Sequence, residues 1–368
     1  MTPVALPPPA ILAPAPREVS FGLVTGSAPI GARRVIIRIG ERVLADRPLH
    51  GRRFSLRVEL PRHELDLRVT AVDALGRRSS SVVHDVVGLP AAAVPRALRA
   101  RSDPALARTV RALAAGFGPT SGIYVEDLGS GRGAAWNAAA RFPAGSTLKL
   151  AIALTVLASH EGKPAAGSRL DRLVREMLVD SDNEAANALE IWLAGSTATG
   201  SARVNETMAA LGMRDSQMYG GYETPFRLLA GLQPIPVRVE SQPAFGLGKY
   251  TTAADLALLA RSVYLGSAGK GTLPRLGITG AETRYLLWQL AHVGDRGKLD
   301  RYLGSSATVL HKAGWIETAR HDNGIVVWAG GAFVATVMTW SPGGAGAASD
   351  ALAGRVAEAA LARFRRVG

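Results

Sequence analysis

The chain has 368 residues and a formal net charge of +13, and 47% of its residues are hydrophobic. This length favours two domains over one, and this composition supports a substantial core. Cysteine is absent, which excludes disulfides and thiolate metal sites. Because His, Asp and Glu do not cluster at metal-ligand spacing, we expect no metal and no other cofactor.

The basic residues are spread along the chain, and no nucleic-acid-binding motif accompanies them. We therefore expect no nucleic-acid partner. A positive surface can also attract an anionic membrane or an anionic cell-wall polymer, so an electrostatic association with wall polymer stays open. No apolar run reaches the length that a transmembrane helix needs, and we expect no transmembrane segment.

The N-terminal part of the chain predicts a flexible tail followed by a small all-β domain. Residues 1–17 are rich in Pro and Ala, and they lack the basic start and long apolar core of a signal peptide. Over residues 18–92, short β-rich stretches are separated by turns that contain Gly, which is typical of a sandwich. These stretches are Arg34–Ile39, Phe54–Leu60, Leu67–Asp73 and Ser80–Val87. The string from Val69 to Gly76 is similar to a bacterial immunoglobulin-like module.

Residues 98–368 predict a larger domain in which strands lie at both ends and helices lie between them. Such an order indicates one antiparallel sheet that both ends of the domain complete. The predicted helices are Asp103–Phe117, several within residues 168–211, Thr252–Leu265, Ala281–His292 and residues 349–366. The predicted strands are Gly122–Leu128, Gly133–Asn137, Thr308–Trp315, Gly324–Ala329 and Phe333–Trp340.

The string Ser146-Thr147-Leu148-Lys149 opens an apolar run that continues to Leu157. On a helix, positions i and i+3 share a face, so the hydroxyl and the amine can meet. A serine hydroxyl is a poor nucleophile at neutral pH and needs an adjacent base. A buried lysine can serve when desolvation or a second cation lowers its pKa. Taken alone, a Ser-x-x-Lys string is common on surface helices and carries little information.

Two further strings, read together with the first, make it informative about function. They are Ser181-Asp182-Asn183, after an apolar stretch, and Lys312-Ala313-Gly314, after a strand-like stretch. In this order, the three strings match the signatures of the penicillin-recognising serine hydrolases. From about residue 100 to residue 366, the chain resembles class A β-lactamases and their relatives among the penicillin-binding proteins. The resemblance implies an α+β domain (an α/β sandwich), with an antiparallel sheet beside a helical lobe and the active site between them.

The resemblance implies a role for each matching residue. Ser146 would attack a β-lactam or a D-Ala-type amide and form an acyl-enzyme, with Lys149 as the base. Ser181 would relay a proton to the leaving nitrogen. Lys312 would add a second positive charge, which lowers the pKa of the base and attracts a substrate carboxylate. The family works at the cell wall, so the resemblance also implies an extracytoplasmic location, periplasmic or secreted, although no signal peptide is visible in this chain.

Substrate-binding roles follow for residues around the second and third motifs. Asn183 would hold the Lys149 amine and a substrate amide. The N–H of Trp315, just after Ala313 and Gly314, would join the N–H of Ser146 in an oxyanion hole. We expect Arg320, placed between two strands with His321 and Asp322, either to bind a substrate carboxylate or to be a solvated turn residue.

Two departures from the family pattern bear on substrate and turnover. Ala313 stands where the third motif normally has a hydroxyl residue, and the lost hydrogen bond would cost about 0.5–3 kcal/mol of affinity. Class A β-lactamases also carry a Glu-x-x-Leu-Asn string whose glutamate activates the water for deacylation, and this chain has no such string. Glu223 and Glu240, on the long segment from about Arg214 to Tyr250, are candidates for that role and could equally be solvated loop residues.

Three functions are therefore open. The first is a β-lactamase-like hydrolase. The second is a wall-peptide D,D-carboxypeptidase or esterase relative that turns over β-lactams poorly. The third is a wall-binding protein without catalysis, which the intact Ser146, Lys149, Ser181 and Lys312 argue against.

Overall fold

A computed structural model of the chain describes residues 5–222, 235 and 241–367. The chain divides into two compact units, Met1–Val94 and Pro95–Gly368. Each unit has a hydrophobic core of its own. No helix within the described residues is long and apolar enough to cross a bilayer.

The first unit is a β-sandwich. Its strands are β1 (Ala10–Ala13), β2 (Val19–Ser20), β3 (Leu23–Ser27), β4 (Ala32–Ile39), β5 (Arg42–Pro48), β6 (Arg53–Arg57), β7 (Glu64–Asp73) and β8 (Arg78–Gly88). They form one sheet in the order β1-β3-β6 and another in the order β2-β8-β7-β4-β5. Buried side chains from both sheets, among them Val24, Phe54, Ile37 and Leu67, share one core.

The expectation of a flexible tail over residues 1–17 is wrong for its second half. Ala10–Ala13 forms β1, which pairs antiparallel with β3. The Ser81 hydroxyl also donates a hydrogen bond of 2.6 Å to the carbonyl of Pro9. Because β1 is an edge strand, its flanking prolines interrupt no interior ladder, which is the position in a sheet where proline is tolerated.

The second unit contains these elements in chain order: β9 (Arg101–Ser102), α1 (Pro104–Phe117), β10 (Thr120–Asp127), β11 (Arg132–Trp136), β12 (Arg141–Pro143), α2 (Lys149–Ser159), α3 (Arg169–Val179), α4 (Asn183–Ala194), α5 (Thr197–Leu211), β13 (Tyr250–Thr252), α6 (Ala253–Gly266), α7 (Gly280–Ala291), β14 (Ala307–Ile316), β15 (Ala319–Trp328), β16 (Gly331–Trp340) and α8 (Ala347–Val367). The main sheet has the order β14-β15-β16-β10-β11-β9. Strands from both ends of the domain therefore complete one sheet, as the sequence predicted. Helices α1 and α8 pack on one face of this sheet, and α6 packs on β10, β15 and β16.

The strand β15 begins earlier than the sequence predicted. Arg320, His321 and Asp322 were expected in a turn before a strand at Gly324, but they lie inside β15 and pair with both β14 and β16. Because these three residues are polar, the sequence pattern does not indicate a buried strand there. In the structure, His321 and Asp322 are buried, and hydrogen bonds satisfy their side chains.

Helix α2 is the centre of the helical lobe. Every residue from Lys149 to Leu157 is buried, which is typical of a helix surrounded by others. Helices α3, α4 and α5 pack around it. The close approach of α4 and α5 depends on Gly200, because a Cβ there would lie 2.2 Å from the carbonyl oxygen of Glu190.

We predict that Gly200→Ala lowers the free energy of unfolding by about 1–3 kcal/mol, because the added methyl must push α5 away from α4. Gly116→Ala is the control, since nothing lies within 4 Å of a Cβ at that exposed helical position. It should leave stability unchanged or raise it by up to about 1 kcal/mol. Urea unfolding of both variants checks this, and equal effects would contradict the packing argument.

Candidate active site

Ser146 lies in a short 3-10 turn, Gly145–Leu148, that leads directly into α2. Residues i and i+3 are in line in such a turn, so Ser146 stands next to Lys149, the first residue of α2. The turn follows β12, which pairs with β13, and the N–H of Ala144 donates a 2.9 Å hydrogen bond to the carbonyl of Lys249. The nucleophile candidate is thus held by backbone pairing on one side and by a buried helix on the other.

The edge strand β14 approaches this turn so closely that glycine is required on both sides. A Cβ on Gly314 would lie 2.6 Å from the backbone nitrogen of Ser146 and 2.7 Å from that of Thr147. A Cβ on Gly145, whose φ is +53°, would lie 3.0 Å from the backbone nitrogen of Trp315. The first N–H groups of a helix have no carbonyl partner within it. The backbones of Ser146 and Trp315 therefore meet where a substrate oxygen could receive two N–H donors.

Lys149 is fully buried, with 0% of its surface exposed. Its Nζ donates to the backbone carbonyl of Ser181 at 2.5 Å and to Oδ1 of Asn183 at 2.6 Å. Removing an ammonium from water costs several kcal/mol, which hydrogen bonds of this kind must offset. The second motif therefore holds the amine of the first.

Lys312 is also fully buried. Its Nζ donates to Oγ of Ser181 at 2.8 Å and to the carbonyl of Ala313 at 3.1 Å. Burial lowers the pKa of Lys312 to about 8, although the carboxylates of Asp295 and Asp322 act in the opposite direction. Lys312 is thus a cation at neutral pH that loses its charge at moderately alkaline pH.

Ser181 joins the two lysines through an unusual backbone conformation. Its φ is +60°, in the left-handed region that costs a non-glycine residue about 1–2 kcal/mol. This conformation presents its carbonyl to Lys149 and its hydroxyl to Lys312. The next residue, Asp182, is the N-cap of α4 and accepts a 2.6 Å hydrogen bond from the N–H of Ala185, so its carboxylate stabilises the start of that helix.

Comparison with known proteins agrees with this geometry. The family model described as "Beta-lactamase enzyme family" matches residues 105–165 and 159–364, which is more than half of the chain. The chain belongs to the β-lactamase enzyme family. No curated protein matches it in sequence.

Solved structures of this family share the fold at low identity. A mutant of PBP-A in an acyl-enzyme complex with penicillin G is 20% identical, with a TM-score of 0.58 over 73% of this chain and 100% of that one. The β-lactamase from Sphaerobacter thermophilus is 21% identical, with a TM-score of 0.54 over 72% of this chain and 99% of that one. A variant of the last common ancestor of Gram-negative class A β-lactamases is 20% identical, with a TM-score of 0.56 over 72% of this chain and 100% of that one. These likenesses establish the α+β fold of the family.

Other candidate residues are placed differently from what the sequence suggested. Arg320 pairs with Asp350 of α8, at 3.2 Å from Nε to Oδ1 and 3.2 Å from the terminal nitrogen to Oδ2. It is therefore not a solvated turn residue, and a role in substrate binding stays a prediction. Ala313 is buried and Trp315 has 61% of its surface exposed on the edge strand. Glu223 and Glu240 lie outside the described residues.

His321 links the sheet to the nucleophile segment. The N–H of Thr339 donates to its Nδ1 at 3.2 Å, so the proton lies on Nε2, which donates to the carbonyl of Pro143 at 2.6 Å. Burial lowers the pKa of His321 to about 4, which keeps the ring neutral. His321 is therefore a buried histidine inside a strand, and both of its ring nitrogens have hydrogen-bond partners.

Sequence reasoning missed an aromatic neighbour of Lys149. The ring of Tyr222 lies 4.6 Å from Nζ of Lys149 and 4.8 Å from Nζ of Lys249, measured to the ring centroid. Asn187 binds the backbone of Tyr222. No local sequence spacing predicts these contacts, because they join segments that are far apart in the chain. Among the described residues, no group of three or more His, Cys, Asp or Glu could hold a metal ion.

Because Lys312 loses its charge as pH rises through about 8, we predict that affinity for a substrate carboxylate falls between pH 7 and pH 9.5. Binding of a penicillin to the Ser146→Ala variant, measured by calorimetry, isolates this step from acylation. In the double variant that also carries Lys312→Met, the affinity should be low and should vary much less over this range. A constant affinity with Lys312 present would contradict the prediction.

Proposed function

We propose that the Pro95–Gly368 unit is a serine hydrolase that forms an acyl-enzyme on Ser146, acting on β-lactam or D-Ala-type amide bonds. One observation carries the proposal: two buried lysines, from the first and third motifs, meet on Ser181 of the second, and the first of them follows Ser146 by three residues in the turn that leads into α2. Burying two lysine amines is costly, and an arrangement of this kind is typical of sites that move protons.

The steps follow from the positions of the groups. Lys149 acts here as a neutral amine, which can donate its two protons to the carbonyl of Ser181 and to Oδ1 of Asn183 and keep a lone pair. It takes the proton from the Ser146 hydroxyl as the serine oxygen attacks the carbonyl carbon, and the N–H groups of Ser146 and Trp315 receive the oxygen that becomes negative. The proton then passes to the leaving nitrogen through the Ser181 hydroxyl, which Lys312 holds in place. Asn183 keeps the Lys149 amine in reach and binds the substrate amide.

Two observations favour a second candidate, an enzyme that acylates but hydrolyses β-lactams slowly, as a wall-peptide D,D-carboxypeptidase or esterase would. Ala313 offers no hydroxyl to a substrate carboxylate. Tyr222, the residue before Glu223, places its aromatic ring against Lys149. A neutral phenol is a poor base for activating water. A wall-binding protein without catalysis is the third possibility, and it accounts least well for two buried lysines.

The proposed substrates place the protein outside the cytoplasm, in the periplasm or secreted, near peptidoglycan stem peptides. The formal net charge of +13 supports an electrostatic association with anionic wall polymer. The small N-terminal sandwich would then be a spacer or an adhesion unit of the immunoglobulin-like kind. Salt-insensitive binding to isolated wall material would count against the electrostatic part of this proposal.

The direct test mixes the protein with a chromogenic cephalosporin and a fluorescent penicillin. We expect Ser146→Ala to lower acylation by about 10³-fold or more and Lys149→Ala by about 10²-fold or more. Lys270→Ala, at an exposed lysine after α6, is the control and should behave as wild type.

The outcomes separate the three functions. Fast turnover that depends on Ser146 supports a β-lactamase, and a stable adduct without turnover supports the slow hydrolase. No adduct and no hydrolysis of any ester or peptide would leave the binding role. Wild-type labelling of Lys149→Ala would remove lysine from the mechanism.

We also predict that Ala313→Ser raises acylation efficiency about 2- to 10-fold for a substrate with a free carboxylate, because it supplies one hydrogen bond. The methyl ester of the same substrate is the control and should gain nothing. Parallel rate measurements on acid and ester check this. An equal gain for both would mean that position 313 does not face the carboxylate.

A further inference from the structure

The ring of Tyr222 lies against the amines of two lysines. Nζ of Lys149 lies 4.6 Å from the ring centroid and Nζ of Lys249 lies 4.8 Å from it. Both distances are within the range in which an aromatic ring attracts a cation, and the attraction is strongest where water is excluded. Lys149 is fully buried, so the ring contributes to the surroundings of the proposed base.

The backbone of Tyr222 is fixed by the helix that carries the second motif. Asn187 of α4 accepts a 2.6 Å hydrogen bond from the N–H of Tyr222 and donates a 3.2 Å hydrogen bond to its carbonyl. A Cβ at Gly221 would lie 2.6 Å from Oδ1 of Asn187, so the bidentate contact requires glycine before the tyrosine. Asn183 and Asn187 are one helical turn apart, which lets α4 position the Lys149 amine and the ring together.

The two residues before Tyr222 are anchored as well. Lys249 donates a 2.7 Å hydrogen bond to the carbonyl of Gly221, and the hydroxyl of Ser201 lies 2.7 Å from the carbonyl of Gly220. The same hydroxyl lies 2.7 Å from Oε1 of Glu190. Since a hydroxyl has one proton, all these bonds form together when Glu190 is protonated and donates to Ser201. Burial raises the pKa of Glu190 to about 7, which makes that state available at neutral pH.

The hydroxyl of Tyr222 contributes little to this anchoring. Its oxygen is buried and has no hydrogen-bond partner among the described residues. The parts of Tyr222 that make contacts are its backbone, held by Asn187, and its ring, which meets the two amines. The contacts therefore require an aromatic ring at this position and do not require a phenol.

We propose that Tyr222 is a positioning residue for the acylation base: its ring holds the Lys149 amine beside Ser146 through a cation–π contact. A ring attracts the ammonium form without being an ionic partner. It therefore stabilises the ammonium that Lys149 becomes when it takes the proton of Ser146, and it does so less strongly than a carboxylate at the same distance, which would favour the charged form before the reaction starts. This inference rests on the proposed function, because it concerns the rate at which Ser146 is acylated.

The experiment varies the electrostatics of the ring at constant shape. Tyr222 is replaced by phenylalanine and by phenylalanines that carry one, two or three fluorines, which progressively weaken the attraction of the ring for a cation. Stopped-flow fluorescence with a fluorescent penicillin gives the dissociation constant of the non-covalent complex and the acylation rate constant separately. A matched series replaces Tyr302, which lies beneath the Arg301 guanidinium at 5.7 Å.

We expect Tyr222→Phe to acylate within about 3-fold of wild type, and the acylation rate constant to fall about 10-fold from no fluorine to three. The dissociation constant should stay the same, and the Tyr302 series should show no trend. Tyr222→Leu should acylate at least as slowly as the trifluorinated variant. A role in packing alone would give equal rates for all the fluorinated variants.

The experiment distinguishes a failure of the inference about Tyr222 from a failure of the proposed function. If the wild-type protein is acylated on Ser146 but the rate does not depend on fluorination, the inference about Tyr222 is wrong and the proposed function stands. If the wild-type protein is not acylated by any β-lactam or ester, the proposed function is wrong and the inference is wrong with it.

Discussion

The Pro95–Gly368 unit is organised around the need to satisfy two buried lysine amines. Lys149 and Lys312 have no exposed surface, and an ammonium in such a place loses its hydration and is repelled by a second one nearby. Ser181 meets both, with its carbonyl for one and its hydroxyl for the other. The left-handed backbone of that residue is the local strain that makes this possible. Buried titratable groups held by specific partners are common at functional sites, and this arrangement is therefore the main support for the proposed reaction.

The rest of the unit positions these groups from three directions. Helix α2 brings Lys149 from the centre of the helical lobe, and α4 begins at the second motif with Asp182 as its cap. The edge strand β14 brings Lys312 and then passes so close to the turn of Ser146 that only Gly314 fits. The neutral His321 ties that sheet to the carbonyl of Pro143, just before the turn. A shift of any of these elements would move Ser146 away from Lys149, Ser181 or Lys312.

Features that depend on residues close together in the sequence could be predicted, and contacts between distant segments could not. Helix and strand periodicity gave most elements of the larger unit within a few residues, and three short motifs in order indicated the family. The early start of β15 was missed because Asp322 looks like a turn residue, and only its buried pairing with His311, at 2.8 Å, makes it compatible with a strand. The contact of Tyr222 with two lysines could not be predicted, since no spacing rule relates residues that meet only after folding. Whether a carboxylate activates the deacylating water involves Glu223 and Glu240, which lie outside the described residues.

The central claim is that Ser146 attacks the carbonyl, and peptide mapping by mass spectrometry tests it most directly. The protein is mixed with benzylpenicillin, quenched in acid at short times, digested and sequenced by fragmentation. The account predicts one modified peptide, heavier by the full mass of the penicillin because ring opening expels no atoms, with the adduct on Ser146. An adduct on any other residue, or consumption of the penicillin by Ser146→Ala at the wild-type rate, would contradict it.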